Sequence, residues 1–296
     1  MVLKTRGEIE LMARANAIVH RVLDDLAAMV APGVTTRELD RFAEESIRRA
    51  GAVPAFLDYR GFPATLCTSV DDVIVHGIPN DQPLREGAIL GVDCGVVYKG
   101  YYGDAARTFP VGRIGETASR LLRVTRESLE LAVEQARPGN RLSDIGHAVE
   151  SHVAGHGFSV VRDFVGHGIG TSLHEDPQIP NFGKPGRGPK LKPGMVLAIE
   201  PMVNAGGPEV RVDADGWTAR TADGSLSAHF EFSVAITASG PLVLDGSFHD
   251  HAGVAPGGDP ATGRAKRRDD RMGGPSERSH AVSGRHVAGG LVGEQR

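Results

Sequence analysis

Apolar positions recur at helical spacing near the start of the chain. Ile9, Met12, Val19, Leu23 and Leu26 share one face of a helix that the capping box Thr5-x-x-Glu8 opens and Pro32-Gly33 closes. A second box, Thr35-x-x-Glu38, starts a helix through Leu39, Phe42 and Ile47 that stops at Gly51. The spacing then changes. Residues 54–63 read as loop and short strand, and 65–70 and Val73–Val75 as strands before a turn at 77–80. Two β-type runs follow in LGVDCGVVYKGYYGDAARTF (residues 90–109), on either side of a Lys99-Gly100 turn signal. Helical spacing returns over 116–136 (Leu121, Leu122, Thr125, Leu129, Ala132), ends at Pro138-Gly139, and resumes over 142–156. Strands and Gly/Pro loops fill the chain to about Asp245.

The pattern repeats. Residues 32–51 match 138–157 at an offset of 106, with Leu39 over Ile145, Glu44 over Glu150 and Ile47 over Val153. LREGAILGVD then lies over LKPGMVLAIE at an offset of 107, putting Gly87 on Gly194, Leu90 on Leu197 and Asp93 on Glu200. Two copies make one duplicated domain around a pseudo-two-fold axis, not a solenoid. We expect this domain to span residues 1–248. From about His249 the chain is Gly, Arg, Asp, Ser and Pro without apolar period, and 249–296 is expected to be a disordered low-complexity tail.

Charge and composition narrow the function. Residues 251–296 carry a net charge of +3, leaving a mildly acidic body of −7, which offers no electrostatic footprint for nucleic acid. Cys67 and Cys94 form no metal-spaced pair and no disulfide framework, which fits a reducing, cytoplasmic setting. No stretch has the length and apolarity of a membrane span or a signal peptide.

The hairpin carries Asp93 on one run and Asp104 on the other. A turn centred on Tyr98-Lys99 sets the carboxylates directly opposite each other, and one centred on Lys99-Gly100 makes them diagonal neighbours on the same face. Like charges there repel unless a shared cation turns repulsion into chelation. Glu200 in MVLAIEPM and Glu231 in HFEFSVAIT sit in apolar strand runs, where an unpaired carboxylate needs a cation or a proton. His167 in GHGIG, His174 in LHEDP and His76 in VIVHGIP complete the candidate chemistry. The other histidines singled out (His20, His147, His152, His156) read as helix-surface residues. Two aspartates, two glutamates and one imidazole suit two divalent ions about 3.5–4 Å apart, with the imidazole selecting Mn, Fe, Co or Zn over Ca or Mg.

With the strings SVDDVIVHGIP, GVDCG…YYGDAARTF, GHGIGTSLHEDP, LKPGMVLAIEPM and SLSAHFEF in this order, the chain from about residue 4 to 246 resembles the type I methionine aminopeptidases. The resemblance implies an α/β (α+β) pita-bread fold, two pseudo-symmetric halves with an antiparallel sheet covered by helices. It implies two divalent metal ions (Co, Mn, Fe or Zn) on Asp93, Asp104, His167, Glu200 and Glu231, with Asp104 and Glu231 bridging. It also implies removal of the initiator methionine from nascent polypeptides with a small second residue, by attack of metal-bound hydroxide on the scissile carbonyl. Glu200 is then the proton carrier, His174 the donor to the carbonyl oxygen and His76 a contact to the adjacent amide. Tyr59, Phe62, Cys67, Phe56 and Trp217 are expected to line the thioether pocket. Phe56 and Leu173 depart from the cysteine and phenylalanine of well-known bacterial members. A monomer with at most transient ribosome contact, and with neither nucleic-acid nor membrane partners, is expected. Three other readings compete: an Xaa-Pro aminopeptidase or prolidase, which usually carries a sizeable N-terminal domain; a non-catalytic binding module, which would have lost metal ligands; and a structural duplicated α/β domain with incidental acids, against which the glutamates in apolar runs argue.

Overall fold

The computed structural model describes residues 2–245, so the expected tail and the domain boundary at 248 lie outside the described residues. Four helices form where the apolar spacing places them: α1 (Arg6–Met29), α2 (Thr36–Arg49), α3 (Glu116–Gln135) and α4 (Leu142–Gly155). Both Thr-x-x-Glu capping boxes close, so the first orphan N–H groups of α1 and α2 are satisfied from their own sequence.

Strand Ile89–Tyr98 pairs antiparallel with Tyr101–Pro110, and Leu66–Val70 adds on its other side. In the second half Val196–Ile199 lies between Phe232–Thr237 and Gly166–Gly168, again antiparallel. Alternation along the first hairpin sends Leu90, Val92, Cys94 and Val96 into a core with Val19, Leu23, Leu39 and Ile47 of α1 and α2. The second half builds the matching core from Leu121, Leu129, Ile145, Val149 and Val153 against Leu197, Ile199, Val234 and Ile236. The opposite faces of the two sheets are left to meet each other.

The duplication is visible down to single hydrogen bonds. Gly33 and Gly139 both have φ +94°, a left-handed turn that glycine adopts without strain. Each donates its N–H across to a leucine carbonyl, Leu84 in one half and Leu191 in the other. The isolated bridges Thr35↔Pro83 and Arg141↔Lys190 are the same contact in the two copies.

The halves join at several places, among them strand Val73–Val75 pairing with Ala219–Thr221 and the contacts beside the aspartate hairpin. Ser233 Oγ donates to the Asp104 carbonyl (2.9 Å), and Thr108 Oγ1 bonds to the His229 carbonyl (2.8 Å) and accepts from its N–H (3.0 Å). From beneath, α1 presses against the hairpin so closely that a Cβ at Gly103 would lie 2.6 Å from the backbone of Ala15 and Asn16.

The glutamates differ from the sequence expectation in one respect. MVLAIEPMVN is two strands, Val196–Ile199 and Met202–Asn204, and HFEFSVAIT is also split, between Ser227–His229 and Phe232–Thr237. The breaks face each other, since Ile199 pairs with Phe232 and Met202 with His229. Pro201 has no N–H to carry the ladder on, so the pair of strands changes sheet there. Glu200 and Glu231 therefore stand at the corner, not within a strand.

Candidate metal centre

Asp93 and Asp104 are diagonal neighbours, because Asp93 pairs with Ala106 and Asp104 with Gly95. The Lys99-Gly100 turn sets this register: φ of +50° and +82° at its central residues is the type I′ geometry that matches strand twist. His167 enters from strand Gly166–Gly168, hemmed in by glycines: a Cβ at Gly166 would fall 2.3 Å from the Ala198 carbonyl oxygen. The corner supplies Glu200 and Glu231. All five are buried, with exposures of 4% (Asp93), 1% (Asp104), 4% (His167) and 0% for both glutamates.

They converge. Ligand-type atoms of Asp104, His167 and Glu231 lie within 4.8 Å of one another, and His167 Nε2 is 4.0 Å from Asp104 Oδ2 and 3.6 Å from Glu200 Oε1. Asp93 belongs to the same charged group: after burial, Asp104 and Glu200 are the neighbours that push its carboxyl well above the usual range. Burial raises Asp104 likewise; burial and then Asp104 raise Glu200; burial and then Asp104, Glu200 and Asp93 raise Glu231. Both carboxylate oxygens of Asp93, Asp104 and Glu200 lack a hydrogen bond of normal geometry. Four mutually repelling buried acids stabilise nothing by themselves, and unsatisfied buried oxygens cost several kcal/mol (about 1–3 each). A divalent cation satisfies them at once, and the donor set fits a hard-to-borderline ion.

Around this cluster the structure sets the other expected residues. The ring of His174 is 4.4 Å from that of His167, and its Nδ1 is 2.8 Å from the Tyr59 hydroxyl. His76 follows strand Val73–Val75 in a left-handed backbone (φ +62°), a conformation that costs a non-glycine residue about 1 kcal/mol or more. That turn seats its ring edge-on to Phe164 at 5.4 Å and to Trp217 at 6.3 Å. Burial, and then the neighbouring His174, hold His76 down to about 3, so it is neutral at ordinary pH. Phe56, Phe62, Cys67 and Leu173 form one apolar cluster with Tyr59 and Trp217 packed against it. Phe56 occupies the space over Gly95, where a Cβ would come within 2.5 Å of its ring, and Cys67 stands across the ladder from Asp93. A cavity of about 310 Å³ lined by His167, His174 and Gln178 opens beside the cluster.

Two residues escaped the sequence reading and one was misplaced by it. His229, whose Nε2 is 3.8 Å from Glu200 Oε2, is buried and held neutral near 3 by burial and then by His76. Its position two residues before Glu231, the period of a strand face, was the available signal. Asn16, on α1, accepts the Asp104 N–H; a lone Asn inside a helical pattern carried no signal. His20 was expected on the helix surface but is buried beside Phe232, because the face of α1 that packs under the hairpin is wider than the apolar spacing alone marks.

A duplicated α/β fold that closes both halves over a buried carboxylate–imidazole cluster is the build of a metal-dependent hydrolase. Residues 10–238 match the model of metallopeptidase family M24, and the chain belongs to that family. It is 54% identical over 244 residues to the methionine aminopeptidase of Clostridium perfringens, covering 82% of this chain and 98% of that protein. Methionine aminopeptidase 1 of Bacillus subtilis is 49% identical, over 82% of this chain and 98% of its own. Among solved structures, methionine aminopeptidase from Thermotoga maritima superposes with a TM-score of 0.82 at 46% identity, over 83% of this chain and 99% of that one. The prolidase of Pyrococcus furiosus shares the fold at a TM-score of 0.65 and 24% identity, with 65% of that longer chain covered. The pita-bread expectation is thus borne out, and among the described residues no helix is long and apolar enough to cross a membrane.

Proposed function

We propose that this protein is a cytoplasmic methionine aminopeptidase that removes the initiator methionine from new polypeptides whose second residue is small. The observation that carries the reading is the convergence of Asp93, Asp104, His167, Glu200 and Glu231, drawn from both copies of the duplication, in a chain whose close relatives bear that name over nearly their whole length. These five would hold two divalent ions of the Mn, Fe, Co or Zn type, with Asp104 and Glu231 shared between them. Bound there, such ions acidify water and polarise a carbonyl.

The chain's own groups do the rest. Glu200, with two oxygens and no hydrogen bond of its own, takes the proton from the attacking water and returns it to the departing amide nitrogen. The Tyr59 hydroxyl lies 2.8 Å from His174 Nδ1, and when it donates there the imidazole proton sits on Nε2, the form able to donate to the scissile carbonyl oxygen as charge develops there. His76, kept neutral, contacts the neighbouring amide. Phe56, Tyr59, Phe62, Cys67 and Trp217 offer the methionine side chain aromatic walls and a sulfur contact.

The test is a peptide assay on chelator-treated protein reloaded with Mn, Co, Fe or Zn. Release of methionine from Met-Ala-Ser with no cleavage of Gly-Pro is expected. The reverse preference would make the enzyme a prolidase, and loaded protein with no turnover would make it a binding module.

A further inference from the structure

A second cluster of ligating side chains lies on the helical layer. Glu127 projects from α3, His152 from α4, and His156 from the residue that caps α4; each offers a ligand atom within 4.8 Å of the others, and all are half-buried. We propose that these three residues form a separate site for a divalent transition ion that clamps α3 to α4.

Three features make the cluster more than a chance meeting of polar groups. First, the ligands are already turned toward one another: His152 Nε2 is 3.2 Å from Glu127 Oε2, and the two imidazole rings, one helical turn apart, have centroids 4.5 Å apart. Closing to metal–nitrogen distances of about 2.0–2.1 Å needs side-chain adjustment and release to solvent of the His152 Nε2 proton now shared with Glu127.

Second, the ligands have the supporting hydrogen bonds that metal ligands use. His156 Nδ1 lies 2.9 Å from the His152 carbonyl oxygen, which can only accept, so Nδ1 carries the proton and Nε2 presents a bare lone pair. Arg123 donates to both oxygens of Glu127 (2.9 and 3.1 Å), which leaves lone pairs on each for a cation and fixes the carboxylate plane. Two guanidiniums oppose a cation here: Arg123, with 55% of its side chain exposed, and Arg120, which donates to the His156 carbonyl at 3.4 Å on an exposed face; solvent screens both.

Third, the histidines stand at the C-terminal end of α4, His152 in its last turn and His156 at its cap, where the helix dipole is negative and favours a cation. The site is not a relic of the duplication. At the offset of 106 the first half has Arg21, Ser46 and Ala50 in these places, none of them able to complete it.

Two imidazoles and one carboxylate, with water filling the remaining positions, suit Zn, Ni or Cu rather than Mg or Ca. The ion would tie together the two helices that cover the second sheet, away from the residues assigned to peptide hydrolysis.

The test compares Ni²⁺ stoichiometry by titration calorimetry in the full chain and in the His152→Gln, His156→Gln and Glu127→Gln variants. The catalytic centre is saturated identically in all four, and turnover serves to count loaded centres. Wild type is expected to bind one more equivalent than either histidine variant. Glu127→Gln is expected to bind that equivalent at least about tenfold more weakly. Equal stoichiometry in wild type and both histidine variants would reduce the cluster to a Glu–His hydrogen bond and overturn the proposal. An unchanged affinity in Glu127→Gln would overturn it too, since the clamp between helices needs the α3 ligand.

Discussion

Asn16 is the residue on which the placement of Asp104 depends most, though it touches no substrate. It is fully buried on α1; its Nδ2 donates to the Met12 carbonyl at 3.0 Å and its Oδ1 accepts the Asp104 N–H at 3.1 Å. The Asp104 carbonyl is taken by Ser233 Oγ from the other half. One peptide segment is thus gripped from α1 on one side and from the second hairpin on the other. Asn16→Ala leaves the Asp104 N–H buried and unpaired, at about 1–3 kcal/mol, and adds a small cavity, for a total of about 2–4 kcal/mol. Because the lost bond orients a proposed ligand, metal affinity should also fall by about 10–100-fold. Urea unfolding of metal-saturated and chelated protein, with a metal titration alongside, reads both numbers. Ser233→Ala releases the same segment, so the two substitutions should couple by about 0.5–3 kcal/mol in a double-mutant cycle. An Asn16→Ala protein within about 0.5 kcal/mol of wild type and with unchanged metal affinity would refute the reasoning.

Other consequences follow from the packing and from one buried imidazole. Gly103→Val drives a side chain into the backbone of Ala15 and Asn16, which cannot yield without moving α1 off the hairpin, so a loss of at least about 1–3 kcal/mol is expected in thermal unfolding; an unchanged Tm would show the contact is looser than it looks. His20 is held down to about 4 chiefly by burial, against an ordinary 6.5. The unfolded chain therefore binds a proton that the native state refuses between pH 6.5 and about 4, and stability falls as pH drops through that window. Replacing it by His20→Leu should recover up to about 3 kcal/mol at pH 4 relative to pH 7, read as a shallower acid limb in the unfolding profile; an identical limb would contradict the assignment.

Much of the fold and the convergence of the candidate site's residues were legible from the chain because their signals are local or repeated. The capping boxes, the helical spacing and the offset of about 106 residues each needed only sequence neighbours or self-comparison, and Asp93 over Glu200 followed from the offset. The Asp pair was readable because a two-residue turn limits the register to few choices. What stayed hidden depends on long-range contact. The corner at Glu200-Pro201 and Phe230-Glu231 arises because the opposed strands change sheet together, and neither apolar run marks that by itself. Asn16 and His20 look like ordinary polar interruptions of a helix; their burial is decided by how α1 seats under the hairpin. The role of His229 depends on a neighbour remote in sequence, Glu200 at the facing corner.

The central claim is that four acids and one imidazole from both halves share two ions. Metal content per chain, measured after chelation and reloading in wild type and in Asp104→Asn, tests it most directly. The near-isosteric change removes a ligand proposed to be shared but keeps the backbone bonds to Asn16 and Ser233, so the variant should stay folded. Two ions in wild type, at most one in the variant, and loss of methionine release together are the predicted result. A variant that keeps both ions and full turnover would contradict the account.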